Sequence, residues 1–221
     1  MHVNWDVPAR WYERLLGGVG VYAVFFGGYG IVNRHLPLLD CRDLGTAFDH
    51  VLPFVPGFIW PFNLTYPLLL APAVVLRTRR SLAWACVAMA CLVLVSCAIF
   101  VLLPVWVPRP TFVPHTLSER WVAWVYASDR PVCGFPSLHV SATLLTAFIL
   151  RRARSRLAHA FLALSVLIAL STLLVKQHVL LDVLGGAGLA WLVDQVLVRR
   201  RGLRSRLGDS AEAHNPPAGR A

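Results

Sequence analysis

Two histidines in this chain stand where polar segments give way to apolar runs. His139 lies in the segment CGFPSLHVS, residues 133–141, and His178 lies in KQHVLLD, residues 176–182. At a spacing of four residues on a helix, His178 and Asp182 share one face, so the carboxylate can accept the Nδ1 proton of the imidazole. Nε2 of His178 is then free to attack an electrophile. The pattern indicates a histidine nucleophile, and a purely structural His–Asp pair is the alternative.

The residues before His139 indicate a helix N-terminus. Pro136 suits the first turn of a helix, and Ser137 can cap it. Free backbone amides and the helix dipole favour anions at such an end, so a serine, an imidazole and amides together indicate a phosphate site. In the alternative interpretation, Ser137 only caps the helix and His139 points at lipid headgroups.

Two basic residues are candidates for holding that phosphate. Lys176 is the only lysine among 21 basic residues and precedes His178 by two positions, while Arg109 lies between two prolines. A lysine supplies a point charge and an arginine a bidentate fork for phosphate oxygens, although both also serve as ordinary interfacial anchors. These residue types fit phosphoryl transfer through a phosphohistidine, without a metal or another cofactor. A zinc site from His139, His178 and Asp182 is the competing chemistry.

The composition indicates the environment of these residues. Of 221 residues, 57% are hydrophobic and only 14% are charged, which is typical of an integral membrane protein. The net charge of +10 comes from short basic clusters between apolar runs rather than from a basic face with interleaved aromatic residues. Nucleic-acid binding is therefore disfavoured, and the expected partners are the bilayer and a lipid phosphate substrate.

Six apolar stretches predict an all-α polytopic membrane protein built as a bundle of six transmembrane helices, at 14–32, 53–76, 82–103, 135–150, 157–175 and 179–198. Prolines in the second stretch predict a broken or kinked helix. Most arginines fall in the connections on one side, which the positive-inside rule assigns to the cytoplasm together with both termini, so the two histidines face outward. In this interpretation, residues 1–200 form the integral-membrane domain, and 201–221 form a basic, disordered cytoplasmic tail.

The residues that carry this chemistry resemble the three motifs of the phosphatidic acid phosphatase type 2 superfamily, K-x6-R-P, P-S-G-H and S-R-x5-H-x3-D. The matching residues are Arg109-Pro110, Pro136-Ser137-Leu138-His139, and Ser171-Thr172 followed by His178 and Asp182. The chain departs from the motifs at Leu102, Leu138 and Thr172. Two of these departures, the first and the third, remove phosphate-binding cations. The P-S-L-H and Lys-Gln-His forms look like the subgroup that includes relatives of inositol phosphorylceramide synthase, and there Lys176 replaces a lost cation.

The resemblance implies a helical-bundle fold and a role for each matched residue. It makes His178 the nucleophile and Asp182 its partner carboxylate. It makes His139 the general acid and base. It assigns phosphate binding, with no cofactor and no metal, to Arg109, Ser137 and Lys176. The role of Ser171 stays undecided.

The expected function is that of a membrane lipid-phosphate phosphatase, which hydrolyses a phosphomonoester or pyrophosphate lipid at the outer leaflet through a phosphohistidine. Positive-inside topology and the resemblance together favour a bacterial inner membrane, with the active site facing the periplasm or exterior. Two alternatives stay open: a phosphotransferase that moves a phospho-headgroup between a lipid and an alcohol, and a non-catalytic lipid transporter. In a transporter, the two imidazoles would stand further apart than one phosphate can bridge, beyond about 8 Å. The sequence leaves open the lipid, the acceptor, the oligomeric state and a Cys41–Cys133 disulfide.

Overall fold

The N-terminal part of the chain is one long helix. The computed structural model of the protein describes residues 5–37 and 40–199. Helix α1, Trp11–Tyr22, continues through a π-helical segment, Ala23–Gly28, into α2, Tyr29–His35. This continuous apolar helix contains no proline and ends at Leu36, where the backbone becomes extended just before Pro37.

The proline-rich second stretch is a series of short helices rather than one long one, as the prolines predicted. After β1, Arg42–Asp43, and the short helix α3, Ala47–Val51, the chain forms a 3-10 turn and three helices. Their bounds are Pro56–Phe58, then α4 Ile59–Asn63, α5 Thr65–Leu69 and α6 Ala71–Val75. Proline lacks a backbone N–H, and the breaks follow two of the prolines: the amides of Leu64 and Leu70 bond to the carbonyls of Pro61 and Pro67, only three residues back.

Helix α7, Arg79–Leu102, is the longest regular α-helix that the described residues contain. Its N-terminus is capped by Thr78, whose hydroxyl accepts a hydrogen bond from the amide of Ser81. Beyond it, β2, Val105–Trp106, pairs in parallel with β1. Helix α8, Leu117–Ser128, follows behind a capping box formed by Thr116 and Glu119.

The last three helices form the packed centre of the molecule. They are α9, Leu138–Arg152, α10, Ala158–Leu174, and α11, Leu180–Val193, which continues into a π-helical segment, Asp194–Arg199. Helix α9 packs against α10 and α11, and also against α5 and α7. Small residues such as Ser141 and Ala142 are fully buried along it, which allows the neighbouring helices to approach closely.

Three of the helices are long and apolar enough to cross a membrane: Trp11–His35, Arg79–Leu102 and Leu180–Val198. A fourth apolar helix, Ala158–Leu174, is shorter. The protein is therefore a mainly helical membrane protein, as predicted. The count of six spans and the cytoplasmic location of the termini stay predictions, and the tail at 201–221 lies outside the described residues.

The connections between helices lie at the two ends of the bundle, and hydrogen bonds join them there. At one end, the amide of Ala9 bonds to the carbonyl of Arg77, and Arg152 pairs with the buried carboxylate of Asp194. At the other, the amide of Ser137 bonds to the carbonyl of Asp182, and both histidines lie at this second end. The thiols of Cys41 and Cys133 are free.

Candidate active site

The two histidines predicted to carry the chemistry are in contact. His139 occupies the first turn of α9, and His178 lies in the connection between α10 and α11. Nδ1 of His139 is 3.4 Å from Nε2 of His178, and the ring centroids are 5.6 Å apart. This separation is well inside the roughly 8 Å that one phosphate could bridge. The geometry therefore favours a single reactive site over two separate headgroup contacts.

Asp182 lies beside His178, as the spacing of four residues predicted, although His178 lies in the connection before α11 and does not share a helical face with Asp182. Its Oδ2 is 3.3 Å from Nδ1 of His178 and also accepts a hydrogen bond of 3.0 Å from the amide of Val179. Asp182 is fully buried, so its carboxylate is held by these contacts away from solvent. A proton on Nδ1 of His178 leaves the Nε2 lone pair as acceptor, and the bond between the rings then requires a proton on Nδ1 of His139.

Close backbone approach between α9 and α11 brings the two histidines together. The amide of Ser137 donates to the carbonyl of Asp182 at 2.9 Å. One turn further along α11, a Cβ at Gly186 would lie only 2.6 Å from the carbonyl oxygen of Ser137. Only a residue without a side chain permits that approach. The glycine pair that begins at Gly185 is thus part of the construction of the site.

Two features fix the conformation of the connection that carries His178: a residue with a left-handed backbone conformation and two hydrogen bonds to one carbonyl. Lys176 has a φ of 53°, which reverses the chain after α10. The amides of Gln177 and His178 then both donate to the carbonyl of Thr172, at 2.9 and 3.2 Å. Thr172 occupies the position of the arginine in the family motif. Its backbone carbonyl accepts the hydrogen bonds that hold this loop.

The side chain of Lys176 stabilises this loop through hydrogen bonds outside the cavity. Its Nζ donates hydrogen bonds of 2.8 Å to the carbonyls of Asp49 and Leu52, and partial burial lowers the pKa of its amine. The carboxylate of Asp49 accepts a hydrogen bond of 2.8 Å from the amide of Leu180, on the other side of His178 in the sequence. Helix α3 therefore clamps the His178 loop at both ends. The structure does not bring Lys176 to the two histidines, and its role as a phosphate ligand stays a prediction.

Arg109 is brought to the site, and most of its donors are engaged. Nη1 donates to the carbonyls of Asp129 and Tyr126, at 2.6 and 3.3 Å. Nη2 donates to the Asp129 carboxylate at 3.1 Å and to Oε1 of Gln177 at 2.8 Å. The guanidinium also stacks over the Tyr126 ring, 4.6 Å from its centroid. Together with His139, it lines a cavity of about 300 Å³, measured with its open mouth.

The two serines of the motifs are turned away from that cavity. Ser137 is fully buried, and its hydroxyl accepts the amide of Val140 at 3.4 Å as a helix cap. Ser171 is also fully buried and donates to the carbonyl of Ile168. In this arrangement Ser137 acts as the alternative interpretation expects, through the helix end, while its role as a phosphate ligand stays a prediction.

Three functional candidates were missed by the sequence interpretation. Gln177 lines the cavity beside His178, and its place next to this predicted nucleophile in the sequence was the available signal. Asp129 and Tyr29 also line it, joined by a hydrogen bond of 2.5 Å from the tyrosine hydroxyl to the carboxylate. No motif distinguishes these last two, which lie 100 positions apart in sequence and meet only in the fold.

A second and larger cleft also reaches His139 and shares part of its lining with the first cavity. It measures about 1160 Å³ with its open mouth, and its lining combines aromatic residues with a polar rim. The aromatic part includes Phe25, Phe26, Phe62 and Tyr66, and the rim includes Asn33, Arg34, Asp129 and Arg130. The imidazole of His139 packs on the Phe62 ring, with centroids 4.6 Å apart. An apolar group with a polar end could therefore reach the imidazole.

The zinc hypothesis needs at least three converging ligands. Among residues 5–37 and 40–199, no three His, Cys, Asp or Glu side chains converge in a way that could hold a metal ion. Oδ1 of Asp182 is buried without a hydrogen-bond partner, and Oδ2 lies 3.3 Å from Nδ1 of His178. The residues present fit proton transfer and nucleophilic attack better than a tetrahedral zinc site.

Comparison with known proteins agrees with this geometry. No curated protein sequence matches the chain. A family model described as the PAP2 superfamily, whose members are generally phosphatases or phosphotransferases, matches residues 47–194. The match covers more than half of the chain and includes every predicted site residue. The resemblance to the inositol phosphorylceramide synthase subgroup stays a prediction. On this match, the chain belongs to the PAP2 superfamily.

Proposed function

We propose that this protein is a membrane lipid-phosphate phosphatase that works through a phosphohistidine on His178. The observation that carries the proposal is the chain of three side chains, His139 to His178 to Asp182, with contacts of 3.4 and 3.3 Å. One imidazole nitrogen is available to attack, a carboxylate stabilises the charge that develops on that ring, and a second imidazole stands beside the reacting atom.

In the first step, the Nε2 lone pair of His178 forms a bond to phosphorus as the bond from phosphorus to the leaving oxygen breaks. His139 enters this step as an imidazolium and gives one of its two protons to that oxygen, and the positive charge on the phosphorylated ring is balanced by Asp182. Because the two rings now contact each other directly, an entering phosphate must separate them. Arg109 lines the same cavity and supplies positive charge for the non-bridging oxygens.

In the second step, water attacks the phosphohistidine. His139, now a neutral imidazole, takes a proton from the water as the oxygen–phosphorus bond forms and the nitrogen–phosphorus bond breaks. Phosphate leaves, and both imidazoles return to their starting states. The same step with an alcohol in place of water gives phosphoryl transfer. The larger cleft that reaches His139 favours this second candidate function, because an acceptor alcohol needs room beside the general base.

The proposed substrate is a phosphomonoester or pyrophosphate lipid in the outer leaflet of a bacterial inner membrane. The apolar helices support a location within the bilayer. The arginine clusters at 77–80 and 151–156, which belong to the end of the bundle opposite the histidines, support an outward-facing site. Reaction at the outer leaflet would require the phosphate, but not the lipid chains, to reach the cavity.

The test is a substrate panel on purified protein in detergent, with phosphatidic acid, isoprenyl pyrophosphate and phosphatidylinositol, each with and without an alcohol acceptor. We expect phosphate release from at least one lipid, and an acid-labile phosphoenzyme that is absent in His178→Ala. His139→Ala should slow both steps. His159→Ala is the matched control, because His159 lies exposed at the first turn of α10, near the other end of the bundle. Activity that survives His178→Ala would overturn the mechanism.

A further inference from the structure

Unpartnered hydrogen-bonding atoms are concentrated at the candidate active site. Within the described residues, five buried side-chain atoms have no hydrogen-bond partner, and three of them belong to this site: Arg109 Nε, Gln177 Nε2 and Asp182 Oδ1. The other two are hydroxyls, on Ser96 and Thr146. Arg109 Nε and Gln177 Nε2 are obligate donors on side chains that line the same cavity as His139 and His178. A buried donor without an acceptor is costly, so this pair points to an acceptor that arrives from outside.

The orientation of the Gln177 amide is set by its neighbour. Its Oε1 accepts a hydrogen bond of 2.8 Å from Nη2 of Arg109. The opposite orientation would turn an NH2 group toward the guanidinium, donor against donor, so Nε2 must be the branch that stays unpartnered. The side chain is only 4% exposed, and its backbone amide is already bonded to Thr172. The amide group is therefore fixed beside the nucleophile with one donor branch unused.

The two cations predicted to bind the phosphate, Arg109 and Lys176, have most of their donors engaged by the protein. Both terminal nitrogens of Arg109 already bond to protein acceptors, so Nε is the donor of that guanidinium left without a partner. Lys176 is bonded to backbone carbonyls outside the cavity. The motif positions that should carry a lysine and an arginine hold Leu102 and Thr172. A phosphate at His178 therefore needs donors that the family motif does not name.

We infer that Gln177 is a phosphate ligand, donating its Nε2–H to a non-bridging oxygen beside the Nε–H of Arg109. The inference rests on the proposed function, since it concerns the phosphate that His178 would attack. Gln177 then has two tasks that one amide can perform together: its oxygen orients Arg109, and its nitrogen holds the substrate. A neutral donor replaces a missing cation at the same site.

Two substitutions separate these tasks. Gln177→Met keeps the length of the side chain but removes both the donor and the acceptor. Gln177→Lys keeps a donor and removes the acceptor that orients Arg109. A phosphate ligand predicts that Gln177→Lys binds phosphate almost as well as the wild type, while Gln177→Met loses about 10- to 100-fold in affinity, the usual effect of one hydrogen bond to a charged group. A residue that only orients Arg109 predicts equal losses in both variants.

The probe is inorganic phosphate, measured as an inhibitor of lipid-phosphate hydrolysis and, independently, by the rise that it causes in the unfolding temperature of the full-length protein in detergent. Unfolding temperatures without phosphate show whether each variant is folded. Gln195→Met is the matched control, because Gln195 lies in the C-terminal π-helical segment, where its amide donates to Asp194. Equal phosphate affinity in the wild type and Gln177→Met, or equal losses in Gln177→Met and Gln177→Lys, would overturn the inference.

The outcomes also separate this inference from the proposed function. If the wild type releases phosphate from a lipid and Gln177→Met binds inorganic phosphate unchanged, the inference fails and the proposed function stands. If the wild type binds inorganic phosphate in a manner that depends on Gln177, yet no lipid in the panel is hydrolysed or used as a donor, the phosphate site stands and the proposed function fails.

Discussion

Replacing Gly186 with alanine should move the start of α9, which carries His139, away from α11, which carries Asp182. Neither histidine is changed by this substitution. A Cβ at this position would lie 2.6 Å from the carbonyl oxygen of Ser137 and 3.4 Å from its carbonyl carbon. The obstruction is backbone, so it cannot move aside as the end of a flexible side chain could. Ser137 precedes His139 by two residues, and Gly186 follows Asp182 by one turn of α11.

The size of the displacement follows from these distances. Ordinary van der Waals contact begins at 3.4 Å, so α11 must withdraw from the start of α9 by about 0.8 Å, from 2.6 to 3.4 Å. Strain from such overpacking typically costs about 1–3 kcal/mol of stability. A misplacement of roughly 1 Å between reacting groups can cost about 100-fold in rate. We therefore expect Gly186→Ala to lower kcat by about 10- to 100-fold while remaining folded.

The assay compares phosphate release and thermal unfolding for Gly186→Ala, Gly185→Ala and Gly188→Ala, all on one helix. A Cβ at Gly185 meets the Phe135 ring at 2.3 Å, and a ring can yield more easily than backbone, so its effect should be intermediate. A Cβ at Gly188 meets nothing within 4 Å, so that variant should keep its activity and gain slightly in helix stability. If Gly186→Ala equals Gly188→Ala in both measurements, close packing does not position the histidines.

Two further substitutions test the groups that support the nucleophile. In Asp182→Asn, an amide N–H can face Nδ1 of His178 and favour the tautomer with a protonated Nε2. We therefore expect kcat to fall by about 10²- to 10⁴-fold with little change in KM. An unchanged kcat would contradict the role of Asp182. For Asp49, burial raises the pKa, but hydrogen bonds from a hydroxyl and backbone amides and the charge of Lys176 outweigh it, so the carboxyl pKa lies below its ordinary 3.8. The unfolded chain then binds that proton more tightly, so the stabilisation is present above pH 3.8 and is lost as the pH falls below it. Below pH 3.8, the unfolding temperature of the wild type should fall more steeply than that of Asp49→Asn. If the two unfolding temperatures fall in parallel with pH, the Asp49 carboxylate does not stabilise the His178 loop.

The roles that depend on local spacing could be read directly from the sequence. The spacing of four residues between His178 and Asp182 predicted that the two side chains would meet, although His178 lies in the connection before α11 and only Asp182 is helical. Prolines disrupt the interior of a helix, so the interrupted stretch from 56 to 75 was also predictable. The contact between His139 and His178 followed from the expectation that both lie at one end of the bundle, which the described helices agree with.

The positions of the basic side chains could not be read in the same way. Lys176 is next to Gln177 in sequence, yet its amine bonds to the carbonyls of Asp49 and Leu52, while Gln177 lines the cavity. Charge made Lys176 the better candidate for phosphate, because sequence shows the type of a side chain but not its direction. Gln177, a neutral residue, gave no comparable signal.

The sequence by itself therefore determined the membrane class, the helical architecture, the pairing of His178 with Asp182, and the superfamily, since each depends on composition or on short-range spacing. The tertiary structure alone decided which donors surround the phosphate position. Arg109 reaches the site through Asp129 and Gln177, at separations of 20 and 68 residues, and Lys176 leaves it through contacts more than 120 residues away. Such contacts arise from packing of helices and loops that lie far apart in the chain, and no local pattern encodes them.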